Sequence, residues 1–283
     1  ELRNQLISKG HIFKSKSDSE VILHLYEEYN TECTKYLEGM FAFAIYDSHR
    51  ENIFFARDRV GEKPLYYYKD KHAFYFSSEI KSFFTLDNFE KKLSMEGLHT
   101  YFNNIQIPPP KTIFEGVKKF RPAHWFLLDA EGREIEKPYW NVDCTKKTKL
   151  SIGDAKEQLN LLMLDSVKKM LVSDVPIGLL LSGGVDSSLI LALANEAGRQ
   201  GLRTFTVGNN SEELEDEEFK RAKKIASQFN SKNYAHDFGK TEFNQLVEAA
   251  KVCDEPIGIL EIFYLFEIFG KIKDHAKVVL SGN

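Results

Sequence analysis

Cysteine is scarce in this chain: there are 3 in 283 residues, at Cys33, Cys144 and Cys253. An odd number at such wide spacing argues against a disulfide framework and against a cysteine-based zinc site. Long apolar runs are missing too. The best segment, Ile257 to Phe269, is interrupted by Glu261 and Glu267 and is too short to span a bilayer. Nor is there an excess of positive charge, since 38 Lys and Arg stand against 42 Asp and Glu for a net charge of -4. That balance disfavours generic binding to nucleic acid or to a membrane surface. No internal repeat is visible, and no signal peptide is read at the start. The expectation is a protein of a reducing, cytoplasmic setting with no nucleic-acid or membrane partner. The length suggests about two domains, each able to bury its own core.

Periodicity divides the chain in two. Glu1 to Gly10 has the pattern of a short amphipathic helix with a glycine stop. Ser17-Asp18-Ser19-Glu20 then caps a helix running to about Tyr29. After Gly39 come short aromatic-rich strands separated by turn residues: Met40–Tyr46, Asn52–Ala56, Leu65–Tyr68 and Ala73–Ser77. A helical turn follows over Glu79–Phe84, then strands over Thr112–Val117 and His124–Leu128, with Pro108-Pro109-Pro110 as a stiff loop before them. These segments predict an α+β domain over residues 1–140. Residues 141–150 are polar and read as a linker. From 151 to 283 strands alternate with helices, which predicts a doubly wound, mostly parallel sheet with ligands at the carboxyl ends of its strands.

The most informative stretch lies in that second half. Val175 to Leu181 is a short apolar run, read as a buried strand. Ser182-Gly183-Gly184-Val185-Asp186-Ser187-Ser188 follows, and Leu189 to Ala197 reads as a helix. Strand, glycine turn and helix start make an anion site, because first-turn N–H groups lack intrahelical partners and the dipole's positive end faces the loop. Gly183 and Gly184 are expected to let the backbone approach a phosphate, while Ser182, Ser187 and Ser188 add hydroxyl donors. Asp186 would repel a bare phosphate but suits a Mg²⁺ ion that bridges phosphates. The loop has neither the lysine of a Walker A sequence nor a G-x-G-x-x-G turn. It resembles the pyrophosphate loop of the N-type ATP pyrophosphatases, which cleave ATP between the α and β phosphates.

Further stretches widen the resemblance. They are Ser17-Asp18-Ser19-Glu20-Val21, Leu37-Glu38-Gly39-Met40-Phe41, Ala56-Arg57-Asp58-Arg59-Val60-Gly61-Glu62-Lys63-Pro64 and Phe76-Ser77-Ser78-Glu79. In the second half they are Ser173-Asp174-Val175-Pro176, Thr204-Phe205-Thr206-Val207-Gly208, Asp254-Glu255-Pro256 and Val278-Val279-Leu280-Ser281-Gly282. With these the chain resembles the glutamine-hydrolysing asparagine synthetases over nearly its whole length. The resemblance implies an N-terminal-nucleophile-type glutaminase sandwich, incomplete here, followed by an ATP-pyrophosphatase domain. It implies ATP and Mg²⁺ as cofactors, and glutamine and aspartate (or another carboxylic acid) as substrates. A homodimer is one assembly it allows. By resemblance Asp18 holds the α-amino group of glutamine, Leu181 and Val207 contact the nucleotide, and Ser281 and Gly282 make a second nucleotide contact. Arg57 to Lys63 is expected to be an ion-paired turn that buttresses the fold. Asp216 or Glu217 could face the Mg²⁺, and Asp254-Glu255-Pro256 is expected to line the acceptor pocket.

Three departures qualify the expectation. The family hydrolyses glutamine with a cysteine at the mature N-terminus, whose thiol is activated by its own α-amine, whereas residue 1 here is Glu. The chain is therefore expected to be a piece truncated at both ends, inactive by itself as a glutaminase. The family usually has a carboxylate after the last Ser-Gly, linked to adenylate formation, and this chain has Asn283. Residues Ile257 to Ile262 are more apolar than usual in the family. The alternatives are a β-lactam-synthetase-like ligase, an amidotransferase acting on a sugar acid, and a degenerate homologue that binds nucleotide without catalysis.

Overall fold

The computed structural model describes residues 1–208, 217–237, 243–258 and 261–282. The chain divides into two compact units, residues 1–146 with 254–258, and residues 147–253 with 259–283.

The first unit opens with α1 (Leu2–Ser8) and α2 (Asp18–Tyr29). Ser17 caps α2 by accepting the N–H of Ser19 at 3.2 Å. Glu20 does not complete a capping box. Its carboxylate instead reaches the preceding loop, accepting the N–H groups of Lys14 at 2.6 Å and Ser15 at 2.7 Å and the Ser15 hydroxyl at 2.6 Å. These donors hold its carboxyl well below the usual range, at about 2. Arg3 clasps the same loop by donating to the carbonyls of Ser15 and Ser17.

Two antiparallel sheets follow. One has the order β1 (Ala42–Asp47), β2 (Asn52–Arg57), β6 (His124–Leu128), β7 (Glu134–Pro138). The other has the order β4 (Phe74–Ser77), β3 (Tyr66–Lys69), β5 (Val117–Lys119). Strand alternation sorts the aromatic residues. Phe54 and Trp125 face α1 and α2, in a cluster with Leu6, Leu25, Cys33 and Ile45. Phe55 and Phe126 face the other way and pack with Leu65, Tyr67, Phe74 and Phe120, so the two sheets share an aromatic core. Cys33 is fully buried, as its reading as a small apolar residue expects, and burial pushes its thiol up to about 12.

The turn over Arg57 to Lys63 buttresses this core, but through the backbone and not through an ion pair. The buried Arg57 guanidinium donates to the carbonyls of Lys63, Phe120 and Gly61, each at 2.7 Å. The buried Asp58 carboxylate accepts the N–H groups of Glu62 at 2.8 Å and Lys63 at 3.0 Å. Both charges are spent on orphan backbone groups that the tight turn cannot pair itself.

Two features of this unit escape the sequence pattern. Thr112 to Phe114 is a loop, and the strand begins only at Val117, because the Thr112 hydroxyl bonds back to Phe114 and Val117 carbonyls and holds the chain in a turn. Strand β7 was not expected, since its residues EIEKP carry a single apolar side chain for an edge strand. Helix α3 (Met95–Asn104), capped by Ser94, lies before the proline loop.

In the second unit α4 (Ile152–Met170) leads to β8 (Ile177–Leu180), α5 (Val185–Glu196) and β9 (Arg203–Gly208). Then come α6 (Glu217–Gln228), β10 (Asn233–Asp237), α7 (Phe243–Val252), α8 (Glu261–Ile272) and β11 (Val278–Leu280). The four strands are all parallel, in the order β10-β9-β8-β11. Leu179 and Leu181 face a cluster with Val167 of α4, Leu191 and Ala194 of α5, and Ala222 and Ala226 of α6. Leu180, Phe205 and Val279 face the other way, onto Leu265, Ile268 and Ile272 of α8. Helices therefore cover both faces of the sheet, which explains why its strands read as continuous apolar runs.

Two measurements test this unit-by-unit account. Arg57→Ala leaves buried carbonyls without donors and should lower stability by about 3–5 kcal/mol, seen as a lower urea midpoint at unchanged slope. Arg57→Lys should recover little of it, because an ammonium cannot reproduce the planar fork. For Glu20 the folded carboxyl is depressed, so its contribution is present above the ordinary carboxylate range and fades as pH falls towards about 2. Glu20→Gln should lower stability at pH 8 and flatten the fall of stability below pH ~4.3, as read by urea unfolding across pH.

Candidate nucleotide-binding site

At the carboxyl end of β8 the backbone is tied on both sides before it turns. Leu181 donates its N–H to the Phe205 carbonyl at 2.8 Å, and the buried Thr206 hydroxyl donates to the Leu181 carbonyl at 2.8 Å. Asn233 on β10 in turn donates to the hydroxyls of Thr204 and Thr206, at 3.0 and 2.9 Å. The strand end is thereby pinned through the interior of the sheet.

The turn itself is short. Gly183 sits at φ +77, and a Cβ there would meet the Glu218 carbonyl at 2.7 Å and the Ala222 nitrogen at 2.8 Å. Its glycine is demanded by contact with α6 as well as by its dihedral angle, a different reason from the phosphate approach expected of it. Gly184 is the residue that stays open, since a Cβ there would meet only the Ser182 hydroxyl, at 3.3 Å. Gly184 is also the N-cap of α5, and among the described residues no side chain caps that helix. The contrast with α2, α3 and α4 is direct, because Ser17, Ser94 and Ser151 each accept a first-turn N–H there. An uncapped N-terminus leaves donors and a positive dipole end for a bound anion.

Helix α5 begins earlier than the apolar pattern suggests, so Val185, Asp186, Ser187 and Ser188 form its first turn. Their hydroxyls divide the work. Ser187 is buried, with its Oγ 3.1 Å from the Ser182 hydroxyl and 3.3 Å from the Ser182 nitrogen. Ser188 donates to the Gly184 carbonyl at 2.6 Å. Both therefore brace the turn. Asp186 is exposed at the second helical position, and Val185 beside it points to solvent at 81% exposure.

These parts surround a cavity of about 310 Å³, at the lower end of the size range of small-molecule sites. Leu181, Ser182, Gly184, Asp186, Ser187, Val207, Ser281 and Gly282 all line it. Gly183, Val185 and Ser188 of the same motif do not. Gly282 reaches the site through another close approach, since a Cβ there would lie 2.6 Å from the Ser187 nitrogen. The apolar wall comes from Leu180, Phe205 and Val207 and from Tyr264 and Leu265 of α8. Sequence reasoning missed the α8 contribution; the only signal for it was the apolar pattern of the helix. Asn283 and the acidic residues Glu212 to Asp216 lie outside the described residues, and Glu217 begins α6.

The location follows from topology. Strands β9 and β10 run to one side of β8 and β11 lies on the other, so the order reverses between β8 and β11. In open parallel sheets ligands bind outside the carboxyl ends at such a switch point. Here Leu181 and Ser281-Gly282 leave adjacent parallel strands at that place.

The donor set fits a magnesium nucleotide. An uncapped helix start meets phosphate charge, and an apolar wall suits a base. Mg²⁺ keeps several waters and takes one or two carboxylates beside phosphate oxygens, so a single exposed Asp186 suffices. Among the described residues, no group of three convergent metal ligands includes Asp186.

The remaining expected residues belong to the first unit. Asp18 is the first residue of α2, exposed, with Ser17 and not Asp18 as the cap. Asp254 accepts the N–H of Ile80 at 2.7 Å and of Lys81 at 3.3 Å, closing the start of the 3-10 helix Ile80–Thr85. Glu255 pairs with Lys119 at 2.5 Å and accepts the Ile113 N–H at 3.0 Å. Burial pushes the Glu255 carboxyl up, against those two partners. Both carboxylates are thus engaged with residues of the first unit.

With the geometry in hand, the comparisons are specific. Residues 1–140 match the family model of the glutamine amidotransferase domain, and residues 158–283 match that of asparagine synthase. The chain thus joins a match to the first family with a match to the second. It is 40% identical to asparagine synthetase (glutamine-hydrolyzing) 3 of Bacillus subtilis over 73% of this chain and 34% of that protein. It is 34% identical to a putative asparagine synthetase (glutamine-hydrolyzing) 2 of Methanocaldococcus jannaschii over 94% of this chain and 52% of that one. Asparagine synthetase (glutamine-hydrolyzing) 1 of B. subtilis is 33% identical over 100% of this chain and 44% of its own length. The chain belongs to the family of the glutamine-hydrolysing asparagine synthetases. It spans about a third to a half of the length of these relatives.

The two glycines should separate by substitution. Gly183→Ala forces a Cβ into α6 at positive φ and should cost on the order of 2–4 kcal/mol of stability. Gly184→Ala should stay within about 1 kcal/mol of the wild type, as measured by urea unfolding.

Proposed function

We propose that the intact protein forms asparagine from aspartate, with MgATP as the activating nucleotide and glutamine as the source of ammonia. The observation that carries this reading is the convergence, at the switch point between β8 and β11, of an uncapped helix N-terminus, an exposed Asp186 and an apolar wall. In this reading the second unit is a doubly wound ATP-pyrophosphatase sheet, and the two packed sheets of the first are an incomplete N-terminal-nucleophile-type glutaminase sandwich. The functional division is residues 1–140 and 151–283 about a linker at 141–150.

Each residue then has a task. Phe205, Val207, Leu180 and Tyr264 receive the adenine base. Ser182, Gly184 and the first turn of α5 receive the phosphates through backbone N–H groups and the Ser182 hydroxyl. Ser281 and Gly282 close the opposite side. Asp186 would hold a Mg²⁺ ion, which when bound would supply positive charge to the phosphates. The aspartate side-chain carboxylate attacks the α-phosphorus, the α–β bond breaks and pyrophosphate leaves. Ammonia then attacks the acyl carbon and AMP departs. Asp18, exposed at the start of α2, is proposed to hold the glutamine amino group. A different acceptor acid is the alternative, and the names of the relatives favour aspartate.

The reading predicts AMP and pyrophosphate as products in the full-length protein. Appearance of ADP and phosphate would refute the pyrophosphatase assignment. Asp186→Asn should weaken Mg²⁺-dependent ATP binding about tenfold or more with the fold intact by circular dichroism. Calorimetry that finds equal affinity would remove Asp186 from the metal role.

A further inference from the structure

A cluster of imidazoles in the first unit has no part in the nucleotide site. His11 lies just beyond α1, and His24 and Glu27 lie on the face of α2 turned towards it. His11 Nδ1 is 3.2 Å from His24 Nδ1, His24 Nδ1 is 2.7 Å from Glu27 Oε2, and His11 Nδ1 is 3.4 Å from the same oxygen. Three potential ligand atoms thus form a small triangle. A tetrahedral zinc site with bonds of about 2.0–2.1 Å has ligand–ligand edges of about 3.3 Å. The observed edges bracket that value.

The surroundings have the form that metal-bound histidines take. A ligating imidazole usually turns its second ring nitrogen to a carboxylate, which fixes the tautomer and the ring plane. His11 Nε2 is 3.3 Å from Glu28 Oε2, and Glu28 is itself held by Lys9 at 2.6 Å. His24 Nε2 is buried without a hydrogen-bond partner and faces Glu20 Oε1 at 3.8 Å. With both Nε2 atoms carrying their protons towards these carboxylates, both Nδ1 atoms present lone pairs to the same point. Without an ion, the short Nδ1–Nδ1 and Nδ1–Glu27 contacts require a proton on at least one of the two Nδ1 atoms. Ring packing limits the freedom of the pair, since Phe13 stacks edge-on against His24 at 4.5 Å.

We propose that His11, His24 and Glu27 form a binding site for a borderline divalent transition ion of the Zn²⁺ class, with water in the fourth position. Two imidazoles and one carboxylate suit such an ion and not the hard Mg²⁺. The ion would staple the segment after α1 to α2, so its role is structural. The site is independent of the nucleotide reading.

The test uses the tag-free protein, dialysed against chelator and then titrated with ZnCl₂ in the absence of nucleotide. The expected result is one equivalent bound, retained through gel filtration with millimolar Mg²⁺ present, and a raised Tm. Co²⁺ in place of Zn²⁺ should give the intense visible bands of a tetrahedral centre. Glu27→Gln, which changes a largely exposed side chain, should weaken binding at least tenfold and abolish the Tm shift. His11→Ala should do the same, and Glu28→Gln should weaken binding by about 10–100-fold. Far-UV circular dichroism checks that each variant is folded. Failure to retain zinc, displacement by Mg²⁺, or equal affinity in wild type and Glu27→Gln would each overturn the proposal and leave a hydrogen-bonded His–His–Glu group.

Discussion

The second unit depends on close backbone approach at the carboxyl end of β8. Three chain segments meet there with no room for side chains at the points of contact. Gly183 lies against the backbone of α6, and Gly282 lies against the first turn of α5. Because these contacts are made by main chain, the turn is defined by α6 on one flank and by the end of β11 on the other. Thr206 and Asn233 fix the same place from inside the sheet. A cavity built on such contacts is pre-shaped by the packing of the sheet.

The first unit solves a different problem with the same means. Its core is aromatic, and rings such as Phe55 and Phe126 are fixed by neighbours on two sheets. The tight turn between β2 and β3 would expose orphan backbone groups to that core. Arg57 and Asp58 answer with three donated and at least two accepted hydrogen bonds to main chain. Charged side chains inside a protein are costly unless fully satisfied, and here their satisfaction is local and complete enough to define the turn.

Much of this was legible in the sequence. The helix over Ile152–Met170 and the alternation of strands and helices after it could be read from periodicity alone, because apolar spacing records which face is buried. The Ser-Gly-Gly-x-Asp-Ser-Ser stretch lies between a strand and a helix, β8 and α5, as its pattern suggests. What periodicity does not record is where a polar side chain sends its hydrogen bond. The hydroxyls of Ser187 and Ser188, read from sequence as phosphate donors, bond within the turn, to Ser182 and Gly184. Glu20 looks like a capping-box residue and instead secures the loop before it. Strand β7 is held by its pairing with β6, a long-range contact that a polar sequence does not announce. The α8 side of the cavity, with Tyr264 and Leu265, depends on tertiary packing, and the apolar pattern of the helix does not say which residues reach the site.

The excursion of residues 254–258 carries a practical lesson for anyone dissecting the molecule. These five residues sit far along the chain yet serve as a cap for Ile80 and a counter-ion for Lys119. A recombinant fragment ending near residue 146 would look complete by sequence, but would leave the Ile80 helix start bare and a half-buried ammonium without its carboxylate. The compact body and the contiguous segment are not the same object in this protein. An expression boundary drawn in the polar stretch after Trp140 therefore parts these five residues from the body to which they belong.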